Sequence, residues 1–131
     1  MWHGNFCWNE LYTRDAEAAK NFYGTIAGWN FEEMKSPEGA YWVGKKDGQP
    51  VCGIFTMTDP AFAGIPEHWI PYIAVDNTDG SVDALKEMGG AALREPFDVP
   101  NVGRLAIVKD SGGAVLALMT PLTPAPPQQQ Q

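Results

Sequence analysis

The chain has 131 residues, 44% of them apolar, with 16 acidic side chains against 9 basic ones for a formal charge of −7. A chain this long forms one domain that buries about two-thirds of its extended surface. Its acidity argues against a nucleic-acid partner, and no apolar run approaches the ~20 residues of a membrane helix. The opening MWHGNF lacks the basic-then-apolar pattern of a secretory leader, so a cytoplasmic location is expected.

In chain order, residues 6–12 (FCWNELY) read as a strand rich in aromatics. Cys7, Asn9 and Leu11 fall on one face, and Phe6, Trp8, Glu10 and Tyr12 on the other. Asp15 suits a helix N-cap, Glu17 favours the positive end of the dipole, and Gly28 can close the helix in the left-handed conformation. Between them Ala19, Phe22, Tyr23 and Ile26 follow the i, i+3, i+4, i+7 spacing of an apolar face directed at a sheet. Strands are expected at 30–35, 40–46 and 49–58, with Asp47-Gly48 as a hairpin turn and Val51, Ile54 and Phe55 as core candidates.

Residues 59–67 (DPAFAGIPE) read as a linker. The pattern then begins again. A strand at 68–75 leads into the polar helix entry Asp76-Asn77-Thr78-Asp79, and Val82, Leu85 and Met88 make the apolar face before Gly89-Gly90 ends the helix. Strands at 91–94, 103–109 and 114–120 complete it, the last two joined by Asp110-Ser111-Gly112-Gly113. Strand, helix and three strands are thus written twice, in modules at 6–58 and 68–120 of a single domain over 1–120. The segment 121–131, with its prolines and glutamine run, is expected to be a disordered tail. Cys7 and Cys52 have no paired-motif spacing and read as buried free thiols.

This element order resembles the vicinal oxygen chelate superfamily, which includes glyoxalase I, bleomycin-resistance proteins and extradiol dioxygenases. The segment from Thr13 to Tyr23, followed by Gly28-Trp29, is similar to that family's first helix and its exit. The Asp110-Ser111-Gly112-Gly113 turn resembles its Asp-Pro-x-Gly turn, with Ser111 in place of proline. The resemblance implies an α+β fold of two tandem βαβββ modules forming an incomplete eight-stranded barrel around a cavity, and a homodimer whose cavities are completed by the partner chain. It also implies four metal-ligand positions in the metal-dependent members, on the first and fourth strands of each module. Here those positions fall on Trp8, Ile70 and Ala117, and the fourth strand of the first module, 51–55, carries no carboxylate or imidazole. A slip of two residues brings in Glu10 and His68, still short of the roughly three protein ligands a catalytic divalent site takes. No metal or other cofactor is therefore expected.

Other chemistries find little support. Ser36, Ser81 and Ser111 have no nucleophile-elbow pattern, and the glycines near 103 and 112 precede no helix that would cradle phosphate. Glu10 is the candidate catalytic group, since a dry carboxylate on an aromatic face can serve acid–base chemistry. The competing reading pairs it with Arg94, Arg104 or a lysine. Five tryptophans add aromatic density, and an apolar wall with a few polar groups suits a small molecule. The expected ligand-binding set is Trp8, Glu10, Tyr12, Trp42, Tyr72, Arg94 and Met119. The leading expectation is a metal-independent protein that binds an aromatic or amphipathic molecule, cations included. The alternatives are a lyase, isomerase or dioxygenase-like enzyme with a non-standard metal site or metal-free acid–base chemistry, and an interaction module whose cavity is filled by side chains.

Overall fold

The computed structural model describes residues 3–36 and 39–122. In order they form β1 (Phe6–Thr13), α1 (Ala16–Ala27), β2 (Asn30–Ser36), β3 (Gly39–Lys46) and β4 (Gln49–Thr56). After a single 3-10 turn at Pro60–Phe62 follow β5 (His68–Ala74), α2 (Thr78–Glu87), β6 (Ala91–Val99), β7 (Gly103–Lys109) and β8 (Val115–Pro121). The fold is α+β, with the βαβββ order present twice. The linker thus contains a turn of helix, capped by Asp59, whose side chain accepts from the Ala61 N–H. Pro121 belongs to β8, and the Leu122 N–H donates to the Val102 carbonyl. The remainder of the expected tail, 123–131, lies outside the described residues.

The chain divides into two compact units, one of Trp8–Ile70 and the other of residues up to Cys7 together with Pro71 onwards. The division crosses β1 and β5, so each unit holds the end of a strand from the neighbouring repeat. In the Trp8–Ile70 unit the strand order is β2-β3-β4-β1, with β1 parallel to β4 and the other pairs antiparallel. The register sets Glu10 beside Gly53, Leu11 beside Ile54 and Tyr12 beside Phe55. Because neighbours in register share a face, Leu11 and Ile54 turn one way and Glu10, Tyr12 and Phe55 the other.

Helix α1 covers the Leu11 and Ile54 face. Asp15 caps it by accepting from the Ala18 N–H at 3.0 Å, and Gly28 ends it at φ 73°. Leu11, Ile54 and Ala19 are buried together, with Ala16, Tyr23, Phe31 and Trp42 packed around them. The expected apolar face is corrected in part: Phe22 and Ile26 are exposed. The stripe that meets the sheet is Ala16, Ala19 and Tyr23, at i, i+3 and i+7, and the two alanines let the helix lie close to Leu11 and Ile54. Phe55 is also misplaced by the sequence reading, since it turns away from this core.

In the other unit the order is β5-β8-β7-β6, with β5 parallel to β8. Asn77 caps α2 by accepting from the Gly80 N–H at 3.0 Å. Val75, Val82, Ala106, Val108 and Leu118 form the core beneath that helix. Thr78, 2% exposed, bonds the Arg104 carbonyl and the Thr120 hydroxyl, so its buried oxygen is satisfied. Met88, expected on the apolar face, is exposed as the C-cap. Strand β6 runs five residues past its expected end, from Arg94 to Val99. Irregularities between Ala92 and Phe97 accommodate Pro96 on an edge strand, where a missing N–H is tolerated.

Candidate functional site

The face of the Trp8–Ile70 unit turned away from α1 carries an aromatic wall around one carboxylate. Alternation along β1 places Trp8, Glu10 and Tyr12 on it, and Glu10 is only 7% exposed. Tyr12 is the centre of the rings. Its centroid is 5.1 Å from Phe55, 6.3 Å from Phe62 on the 3-10 turn, and 5.1 Å from His68, whose plane is tilted by only 14°. Phe55 and Phe62 meet edge to face at 5.8 Å.

Tyr41 crosses this face from β3 to reach Glu10. The Trp8 indole N–H donates to the Tyr41 hydroxyl at 3.1 Å, which leaves the phenol proton for the Glu10 carboxylate. An indole nitrogen can only donate, so the direction of the chain Trp8 to Tyr41 to Glu10 is fixed. Burial, reinforced by the neighbouring Glu10 charge and hydrogen bond, pushes the Tyr41 phenol far above its ordinary range. Tyr41 therefore stays protonated and acts as a donor. The space for its hydroxyl is provided by Gly53, where a Cβ would lie 1.7 Å from the Tyr41 oxygen.

The rim is fixed by a clamp. Arg14 donates from its backbone N–H and guanidinium to Glu67, and from Nη2 to the Phe62 carbonyl at 2.7 Å. This ties the 3-10 turn and the approach to β5 back to the end of β1. The backbone N–H of Arg14, together with its charge, holds the Glu67 carboxyl below its usual range. Immediately beyond Glu67, His68 Nδ1 lies 2.8 Å from the Pro66 carbonyl.

The expected site residues separate into three groups. Trp8, Glu10 and Tyr12 share the wall. Trp42 does not join them: its register partner is Ile54, which places it on the α1 side, with Lys20 Nζ 3.1 Å from its ring centroid. Tyr72, Arg94 and Met119 belong to the other unit. There Tyr72 pairs with Ala117, Arg94 with Ile107 and Met119 with Leu105, all on the face opposite α2. Arg94 rests over the Phe97 ring at 3.5 Å, and Arg104, once considered for Glu10, pairs with Asp79 and Asp98. Cys52 is buried as expected, whereas Cys7 is exposed. Tyr41, Gly53, Phe55 and Phe62 lie outside the expected binding set, as does His68, which the sequence reading considers as a metal ligand beside Glu10.

Among the described residues, the side chains at the family-implied ligand positions named above are not metal donors. Of the family-implied ligand positions, Ile70 is 2% exposed, Ala117 is fully buried, and Trp8 has its indole N–H committed to Tyr41. Among the described residues no group of three His, Cys, Asp or Glu is placed to hold a metal ion. A hollow of about 380 Å³ in the other unit is lined by Asp98, Val99, Arg104, Thr120 and Leu122, among others. The Arg104 guanidinium on its lining is engaged by Asp79 and Asp98.

Comparison with known proteins places these features in context. A family model described as the Glyoxalase/Bleomycin resistance protein/Dioxygenase superfamily matches residues 6–118. The chain is 34% identical over 125 residues to "Putative glyoxylase CFP32" of Mycobacterium bovis, an alignment covering 95% of this chain and 46% of that protein. It is 28% identical over 123 residues to the anthracycline biosynthesis protein DnrV of Streptomyces peucetius, covering 85% of this chain and 45% of that one. The chain thus spans less than half the length of these curated relatives. Among solved structures, a methylmalonyl-CoA epimerase in complex with methylmalonyl-CoA and NH4+ has the same fold, with a TM-score of 0.69 at 15% identity over 95% of this chain and 99% of that one.

Proposed function

The chain belongs to the glyoxalase/bleomycin resistance protein/dioxygenase superfamily, and from that premise we propose that it binds a planar aromatic or amphipathic small molecule without a metal ion. The observation that carries this reading is the buried Glu10 carboxylate, held by Tyr41 within a wall of Trp8, Tyr12, Phe55 and Phe62. Rings supply apolar area and stacking, worth roughly 0.5–1.5 kcal/mol per aromatic pair beyond burial. The carboxylate fixes orientation. Its negative charge also admits cationic ligands. The protein works as a homodimer in the cytoplasm, and size-exclusion chromatography with light scattering tests the dimer. Among the described residues no helix is long and apolar enough to cross a membrane.

Because one relative is an anthracycline biosynthesis protein, polycyclic aromatic compounds with and without amino groups head the ligand panel. Tryptophan fluorescence titration tests the reading, with Trp8→Phe identifying the responding indole. Saturable quenching that is lost in Trp8→Phe supports it. No saturable response from any compound counts against it.

A second reading, acid–base catalysis of the lyase or isomerase kind, is favoured by one observation: Glu10 is hydrogen-bonded to a phenol that stays protonated. A carboxylate and a neutral phenol side by side are the base and acid of a proton transfer. Turnover that survives exhaustive chelation and is lost in both Glu10→Gln and Tyr41→Phe would select this reading.

A further inference from the structure

Phe22 and Ile26 on α1 belong to a second aromatic surface, separate from the wall around Glu10. Phe22 is 57% exposed, Ile26 63% and Trp69 37%. Tyr23 is the hub of this surface. It meets Phe22 edge-on at 5.0 Å, stacks with Trp29 at 5.7 Å, and meets Trp69 edge-on at 5.3 Å. Trp29 in turn meets Trp69 at 6.3 Å. The Trp69 indole N–H donates to the Tyr23 hydroxyl at 3.1 Å, so that donor stays satisfied when water is driven off. The rings hold one another in place, and covering them costs little further side-chain freedom.

Single apolar side chains are ordinary on a protein surface; a contiguous group of two tryptophans, a tyrosine, a phenylalanine and an isoleucine marks an interaction site. The composition is that of an interface core, where aromatic residues are enriched and charge is depleted. From Asn21 to Phe31 the sequence holds no Asp, Glu, Lys or Arg. Lys20, just before that run, is held by Glu17 and the Trp42 ring.

Charge indicates what covers this surface. A basic partner would be met by carboxylates, and this run offers none. Two copies of a chain at −7 repel, and they approach closely where each lacks charge. Length agrees: the curated relatives are more than twice as long as the stretch they share with this chain, which leaves each of them room for another module of this size.

We propose that this surface, centred on Phe22, Tyr23, Ile26, Trp29 and Trp69, is where a second copy of this chain docks about a two-fold axis. This rests on the homodimer reading above and assigns the face that makes it. A standard interface takes about 800 Å² from each partner, and rings of about 150–250 Å² apiece supply its centre. Exposed polar residues of α1, Asn21 and Thr25, form the rim.

Light scattering and sedimentation velocity over a dilution series of the full chain test it, with Phe22→Ser and Ile26→Glu as variants. Both side chains are exposed, so circular dichroism should show each variant folded as the parent is. The parent is expected to dimerise, and its tryptophan emission should move to longer wavelength as dilution separates the copies. Each variant should weaken the dimer by at least about tenfold, the loss expected on removing an anchor at an interface centre. Met88→Glu, on an equally exposed side chain in the other unit, should leave it unchanged. Dimerisation that survives both variants would overturn the inference and leave the homodimer standing on another face. Equal weakening by Met88→Glu would show a general effect of added charge and would also overturn the choice of face. A parent that stays monomeric at every concentration would overturn the homodimer reading together with the inference.

Discussion

Gly53→Ala is the sharpest test of how the candidate site is built. In an open strand position this change is favourable by about 0.5–1 kcal/mol, because alanine loses less backbone freedom on folding. At Gly53 the new Cβ would stand 1.7 Å from the Tyr41 hydroxyl and 2.4 Å from Cζ of its ring. A phenol ring is rigid, so Tyr41 must swing away as a whole. Trp8 then loses an acceptor, a cost of about 1 kcal/mol, and the carboxylate of Glu10 loses a donor while buried, about 1–3 kcal/mol. Set against the backbone gain, the net loss is about 2 kcal/mol. In a domain of this size that lowers the melting temperature by roughly 5–10 °C. Urea unfolding followed by tryptophan emission measures it, and the native spectrum should also change because the Trp8 indole loses its partner. The decisive comparison is a double-mutant cycle with Tyr41→Ala. With the ring removed, Gly53→Ala should become neutral or stabilising, giving a coupling of about 2 kcal/mol. If Gly53→Ala alone is as stable as the parent and leaves the emission unchanged, then Tyr41 does not occupy the space above Gly53, and the account of Glu10 fails with it.

Other expectations follow from the same structure. Burial raises both thiols, that of Cys52 to about 11, but Cys7 is exposed and Cys52 buried, so at pH 8 Cys7 should react first with a thiol reagent, slowly, and the second equivalent should appear on unfolding. Ile54, 1% exposed in the α1 core, should lose about 2–5 kcal/mol on replacement by alanine, measured by urea unfolding. The Arg104 hydrogen bonds hold Asp79 below its ordinary 3.8, and the Arg14 backbone N–H holds Glu67 below its ordinary 4.5. Depressed carboxylates stabilise the fold above their unfolded values and lose that stabilisation as pH falls through the folded ones. Unfolding midpoints should therefore be level from neutral pH to about 5 and decline below about 4. Arg104→Met should flatten part of that decline, and high salt should do the same because both pairs are exposed.

The fold was legible because its punctuation is chemical. Asp15 and Asn77 cap helices, Gly28 stops one in the left-handed conformation, and Asp47-Gly48 turns a hairpin with both residues at positive φ. These are local demands that neighbouring residues cannot hide. Orientation about a helix axis is less local. Phe22 and Ile26 fit an apolar stripe as well as Ala19 does, and only the close seat of two alanines on Leu11 and Ile54 decides which edge faces the sheet. The extension of β6 past Pro96 was hidden for a related reason, since a bulge on an edge strand suspends the rule that proline ends a strand.

The candidate site was half legible. Alternation along one strand suffices to place Trp8, Glu10 and Tyr12 on a common face, because it needs no knowledge of any partner. Trp42 went wrong at the next step. Its face depends on the β3–β4 register, and a one-residue slip in register exchanges Trp42 with Tyr41. That slip is the whole difference between a tryptophan under Lys20 and a phenol on Glu10. A signal did exist in Gly53. A glycine inside a strand, with no turn to make and no positive φ to adopt, usually marks a close approach by another group. Here the group is the Tyr41 hydroxyl. With Gly53 beside Glu10, the space left by the missing side chain is the space that the Tyr41 hydroxyl, reaching across from β3, takes up. His68 lacked even that signal, because its place on the wall depends on stacking against Tyr12, which no residue type announces. What the sequence conceals at this site is therefore the direction of its hydrogen bonds.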